Sequence, residues 1–134
     1  MIEVVQAFDR APIAQLQSDD AAALERKIEA ARRAFADRGA WLKPHQRIDI
    51  LRKLAGLMAG KRAHLGRQIA REGGKPLTDA LIEVDRAIDG VGCAIDELRV
   101  RGGREIPMGL TTAADNRRAF TILEPIGVVA AISA

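Results

Sequence analysis

The chain has one cysteine, no tyrosine, one tryptophan and three phenylalanines in 134 residues. A lone thiol, Cys93, excludes an internal disulfide framework and fits a reducing compartment. Charge of one sign is also scarce: 21 Lys and Arg face 18 Asp and Glu, a formal net charge of only +3. A nucleic-acid surface gathers cations on one face and interleaves aromatics for stacking, and neither pattern is present. The densest basic stretch, Arg99, Arg101, Arg104, Arg117 and Arg118, is interrupted by Gly102, Gly103 and Asp115 and reads as a solvated loop. No apolar run approaches the roughly 20 residues of a membrane span, and Met1, Ile2 and Glu3 do not open a basic-then-apolar leader. No nucleic-acid or membrane partner is expected, and the cytoplasm is the expected location. Hydrophobic residues, by contrast, make up 48% of the chain, enough for the core of one domain.

Local patterns divide the chain. Val4 and Val5, the breakers Asp9, Arg10 and Pro12, then Ile13 and Leu16 predict two short strands joined by a turn. Ser18, Asp19 and Asp20 offer N-cap candidates for a first helix whose apolar face is Leu24, Ile28, Ala31 and Phe35. That helix is expected to reach Arg38, with Gly39 as its stop. Pro44 opens a second helix with the stripe Ile48, Leu51, Ala55 and Met58, and Gly60 breaks it. A third helix carries Leu65 and Ile69 to Glu72, where Gly73 and Gly74 can end it. After Pro76, the residues Leu77, Leu81, Val84, Ile88, Val91, Ile95 and Leu98 alternate steps of four and three, giving a long helix apolar along one face. A polar loop follows, then a strand over Ala119 to Leu123, punctuated by Pro125.

From Val128 to Ile132 the chain is apolar without polar alternation, the texture of a strand buried on both faces of a parallel sheet. Such a strand needs neighbours reached through crossovers of a dozen or more residues, which do not follow within Ala134. The expectation is of a chain interrupted at the first strand of a second domain.

Candidate chemistry fails residue by residue. Gly74 and Lys75 lack the earlier glycine and the following Ser or Thr of a phosphate loop, since Ile69 and Pro76 stand there. Gly90 and Gly92 do not make a dinucleotide fingerprint, because Ile95 replaces the third glycine; close helix packing is the expected reason for them. Cys93 lies near Asp89, Asp96 and Glu97 at helical spacing, a setting that opposes a thiolate. His45 and His64 have no carboxylate partner at helical spacing and, with one cysteine, cannot complete a zinc site. Glu25, Glu29, Asp85 and Asp89 are spaced to pair with Arg33, Arg32 or Arg86 on their own helices. The residues alone predict a mostly helical layer with a few strands and with no catalytic or metal site.

Three ordered segments nevertheless carry a resemblance. Glu72, Gly73, Gly74, Lys75, Pro76 and Leu77, followed by Ala80, Glu83 and Val84, resemble the E-x-G-K-P-L-x-x-A-x-x-E-V signature of the aldehyde dehydrogenase superfamily. Leu24, Ile28, Ala31, Phe35, Trp41, Arg47, Ile50 and Leu51 look like that family's first helices. Glu124 to Ile132 is similar to its x-P-I-G-V-V-x-x-I strand. The resemblance implies an α/β fold of which this chain is the mostly helical N-terminal portion: hairpin, about four helices, an oligomerisation-type strand over Arg117–Leu123, and the first strand of a doubly wound, Rossmann-like domain. It implies a boundary near residue 125, with 1–124 as wrap and 125–134 as the start of the dinucleotide-binding domain. A homo-oligomer, dimer or tetramer, is implied with it.

The implied activity is oxidation of a small aldehyde to its carboxylic acid with NAD or NADP. In the family a cysteine thiolate attacks the aldehyde, hydride passes from the thiohemiacetal to the nicotinamide, and a glutamate activates water. Those residues, and the asparagine that holds the oxyanion, are expected beyond position 134, so the chain alone is expected to be inactive. Of the family's binding positions Ile132 and Ser133 match the start of the cofactor loop. Glu83 is the nearest match to a carboxylate that holds a monovalent cation in some members, and no metal site is assigned to it. The texture suggests small acidic or hydroxy aldehydes. The reading that needs no family is a self-contained helical interaction module without catalysis.

Overall fold

The computed structural model describes residues 1–132. Its first element is the expected hairpin, β1 (Ile2–Val5) against β2 (Pro12–Leu16), antiparallel with Ile2 opposite Leu16 and Val4 opposite Ala14. The turn is built by its polar residues: Asp9 Oδ1 accepts from the Ala11 N–H at 3.0 Å and from Gln6 Nε2 at 2.9 Å, while Arg10 takes a left-handed φ of 62°.

Helix α1 (Ala21–Ala36) begins where Asp20 Oδ1 accepts the Ala23 N–H at 2.7 Å, one of the donors a helix start leaves unpaired. It ends two residues before the expected Arg38. Asp37 leaves helical geometry, Arg38–Ala40 form one tight 3-10 turn, and Gly39 plays no part as a stop. Helix α2 (Pro44–Gly60) starts with Pro44 in its first turn, and the Lys43 N–H donates to Gln46 Oε1 at 2.8 Å. Helix α3 (Arg62–Gly73) follows after Lys61, so the break falls one residue past the expected Gly60.

Helix α3 ends at Gly74, whose φ of 66° lets its N–H reach the Ala70 carbonyl at 3.0 Å. Helix α4 (Leu77–Val100) is the organising element. Both α2 and α3 pack on it while touching each other little, and α1 makes no extensive contact with α2, α3 or α4. Ala80, Val84 and Ile95 are the buried hydrophobic residues among those described, and Leu81, Ile88, Val91 and Leu98 are half-buried along the same face. Leu77, at the start of the stripe, is exposed.

Glycine usage differs from expectation. Gly90 and Gly92 have open space where a Cβ would stand, so close packing does not explain them. The tight glycine is Gly66, where a Cβ would lie 2.6 Å from Leu81 Cδ2 at the α3–α4 contact.

Beyond α4, β3 (Glu105–Ile106) pairs antiparallel with β4 (Ala119–Phe120), a ladder of two residues rather than the expected five. Gly103 passes so close to Thr121 that a Cβ there would collide with its carbonyl oxygen. Arg104 and Thr121 complete the pairing: the Thr121 N–H donates to the Arg104 carbonyl at 2.9 Å, and the Arg104 N–H to Thr121 Oγ1 at 3.0 Å.

The expected strand at 126–132 is not formed among the described residues, and Ile126, Val129 and Ile132 are exposed. The reason is physical: a strand completes its hydrogen bonds only with a neighbour, and none lies beside this segment.

Candidate functional site

The segment Glu72–Leu77 sits where three elements meet. With Gly74 in the left-handed region, the chain turns sharply from α3 into α4, and the hairpin turn docks on the vacated helix end. The Ala7 N–H donates to the Arg71 carbonyl at 2.9 Å and Arg71 Nε to Gln6 Oε1 at 3.0 Å. The first of these satisfies a carbonyl that the end of α3 leaves free. Lys75 then reaches along α4 to pair with Glu83. Lys75, Asp79, Ile82, Glu83 and Arg86 line a shallow groove of about 450 Å³ there. Glu83 is thus already partnered by a cation from its own chain.

Arg62, at the start of α3, makes a bidentate contact with Asp85 of α4, Nε to Oδ1 and Nη2 to Oδ2, both 2.6 Å. The hydrogen bonds from Arg62 hold the Asp85 carboxyl below its ordinary value, and the same bonds raise Arg62. Sequence spacing offered Asp85 only partners on its own helix; the true partner stands 23 residues away on another. Glu29 does pair with Arg33 within α1, at 3.5 Å.

Trp41 donates its indole N–H to the Phe35 carbonyl at 3.0 Å, satisfying a carbonyl at the end of α1. Its ring lies 5.4 Å from that of Phe35, and the Arg38 guanidinium sits 5.1 Å above it. Arg38 continues to Glu124 at 3.2 Å, tying this corner to the segment that enters Pro125. Pro44, Arg47, Leu98, Arg101, Leu123 and Ile126 border an open cleft of about 520 Å³ beside it.

Cys93, His45 and His64 are exposed. Among the described residues no three His, Cys, Asp or Glu side chains gather as a metal site would require, and no helix is long and apolar enough to cross a membrane. Ile132 is fully exposed, and Ser133 lies outside the described residues. Asp20, Trp41, the Arg62–Asp85 pair and Arg71 with Gln6 cap helices and tie elements together.

Comparison with known proteins places this scaffold. The aldehyde dehydrogenase family profile matches residues 1–134. A 3-sulfolactaldehyde dehydrogenase of Priestia aryabhattai is 26% identical over 132 residues, covering 98% of this chain and 27% of that protein. The crystal structure of lactaldehyde dehydrogenase from Escherichia coli superposes with a TM-score of 0.72 at 26% identity, over 82% of this chain and 23% of that one. A glyceraldehyde-3-phosphate dehydrogenase from Methanocaldococcus jannaschii, crystallised with NADP, gives a TM-score of 0.74 at 21% identity, over 80% and 23% of the two chains, a likeness of fold. The chain spans about a quarter of the length of these relatives. Its helices and small sheets are those of the N-terminal part of that fold, and the chain belongs to the aldehyde dehydrogenase family.

Proposed function

We propose that the chain is the N-terminal scaffold of an NAD- or NADP-dependent enzyme that oxidises a small aldehyde to its carboxylic acid through a cysteine thiohemiacetal. In this reading residues 1–124 wrap the cofactor domain, 125–134 begin it, Arg117–Leu123 serves assembly into a cytoplasmic homo-oligomer, and the reacting cysteine and glutamate lie in the remaining polypeptide. The observation that carries it is the match of the family profile along the whole chain. The names of the relatives, sulfolactaldehyde and lactaldehyde dehydrogenases, support a small hydroxy aldehyde, with or without an acidic group, as substrate.

The described residues do not by themselves fit a dinucleotide. Ile132 is bare and the segment leading to it has no ladder partner among them. The part assigned to this chain is mechanical: Gly74 and the Lys75–Glu83 pair set the turn between α3 and α4, and Arg38–Glu124 holds the entry to Pro125.

The reading as a self-contained helical module is less well supported. The chain exposes 11083 Å², against about 6,900 Å² for a compact monomer of its mass.

Assay with lactaldehyde and NAD or NADP tests the proposal. The chain alone is expected to form no NADH or NADPH, and the polypeptide read through in frame past residue 134 is expected to form it. Turnover by the chain alone would overturn the scaffold assignment. Failure of the longer polypeptide on any small aldehyde would overturn the dehydrogenase reading.

A further inference from the structure

Residues 122–132 leave the helical layer with little to hold them. They have no ladder partner among the described residues, and Ile122, Leu123, Ile126 and Val129 are exposed, so neither backbone pairing nor apolar packing fixes their path. What ties them back is a charge: Arg38 Nη1 donates to Glu124 Oε1 at 3.2 Å, across 86 residues of sequence.

An exposed ion pair is ordinarily weak, because two long side chains must be ordered to make it. Here both partners are ordered in advance. The Arg38 guanidinium lies 5.1 Å from the centroid of the Trp41 ring, and that ring is itself fixed, by its indole N–H on the Phe35 carbonyl at 3.0 Å and by packing 5.4 Å from the Phe35 ring. Glu124 precedes Pro125, which disfavours helical backbone at Glu124 and locks its own φ. The contact therefore joins the anchored end of α1 to the stiffest dipeptide of the segment. Leu123 to Ile126, the strap so held, borders the cleft between Pro44 at the start of α2 and Leu98 near the end of α4.

Resting on the function proposed above, we propose that Arg38 is a positioning residue for dinucleotide binding: seated on Trp41, it latches Glu124 and so aims the segment after Pro125, with which that reading begins the cofactor domain. Both partners face solvent, with side chains 64% and 46% exposed, so the latch loosens as ionic strength rises.

The chain's single tryptophan and single cysteine make the latch measurable. Trp41 serves as energy-transfer donor to a dansyl group on Val129→Cys, an exposed position, in a Cys93→Ser background. At roughly 10 mM salt the parent is expected to give a narrow distribution of donor–acceptor distances. It broadens at about 1 M, where the Debye length has fallen from about 30 Å to about 3 Å. Glu124→Gln and Arg38→Met are each expected to give the broad distribution at both salt concentrations, with no further change when the two are combined. Arg52→Met, which removes the exposed Arg52–Asp49 pair of α2, should leave the distances as in the parent. In the polypeptide read through past residue 134, Arg38→Met should weaken NAD or NADP binding about two- to fivefold by isothermal titration calorimetry, the range an exposed ion pair can supply, and Arg52→Met should not. Arg38 and Glu124 lie outside the α-helices, so circular dichroism of the variants should match the parent, separating a lost latch from lost folding. Distances indifferent to Glu124→Gln overturn the latch, and broadened distances with unaltered dinucleotide affinity overturn its role in binding. Absence of dinucleotide binding by the unsubstituted longer polypeptide overturns the functional reading instead, and the distances still decide the latch.

Discussion

Helix α4 and the segment after Pro125 are both written in apolar residues, yet they end in opposite conditions. Val84 and Ile95 are buried between helices, whereas Val129 and Ile132 stand in solvent. Hydropathy does not separate them. A helix closes its hydrogen bonds within its own backbone and needs other elements only to cover a face. A parallel strand needs neighbours for its hydrogen bonds as well as its side chains. The comparison teaches that apolar sequence becomes local structure where the chain itself supplies the partner.

The sharpest way to break that contrast is to charge the covered region. Val84→Asp places a carboxylate at a site only 2% exposed. A loss of more than about 3 kcal/mol is expected, read as disappearance of the cooperative urea transition in far-ultraviolet circular dichroism. Gly66→Leu should cost about 1–3 kcal/mol by forcing α3 away from Leu81, measured as a lower denaturation midpoint.

A smaller effect, and one that depends on pH, is expected at the Arg62–Asp85 contact. Asp85 has a lowered folded value, so its contribution is complete above the ordinary carboxylate value of 3.8 and is lost as pH falls below it toward the lowered value. Asp85→Asn should therefore flatten the stability profile in that acid window while lowering stability at neutral pH. An unchanged acid limb in the variant would show that the contact carries no linkage.

The smallest global effect is expected at the β3–β4 ladder, which precedes the segment after Pro125. Gly103→Ala drives a methyl group into the Thr121 carbonyl and should unpair β3 from β4, seen as faster hydrogen exchange at the Thr121 amide. Because that ladder supports little else, overall stability should move by less than about 0.5 kcal/mol. A large global loss would mean the hairpin is part of the same cooperative unit as α4.

These differences follow how legible each region was. The four helices could be read because their signals are local: Asp20 before an alanine run, Pro44, Gly74 and the four-and-three stripe of α4. Errors arose where geometry depends on distant chain. Gly66 has no distinguishing neighbour in sequence, and only the approach of α4 makes its missing side chain matter. Asp85 has Arg86 as the expected partner on its own helix, whereas Arg62 reaches it from another helix. The family was legible in three motifs, and the geometry gives several of those residues plain duties: Trp41 caps α1, Gly74 turns the chain, and Lys75 engages Glu83.

The hairpin's attachment has a consequence for synthesis. Gln6 is held by Arg71, 65 residues later. At ribosomal rates that separation is roughly 3 to 13 s, during which a two-stranded ribbon has no anchor and is at best marginal. The hairpin must wait for the end of α3 before it can settle, so a pause in translation before Arg71 would prolong its exposure.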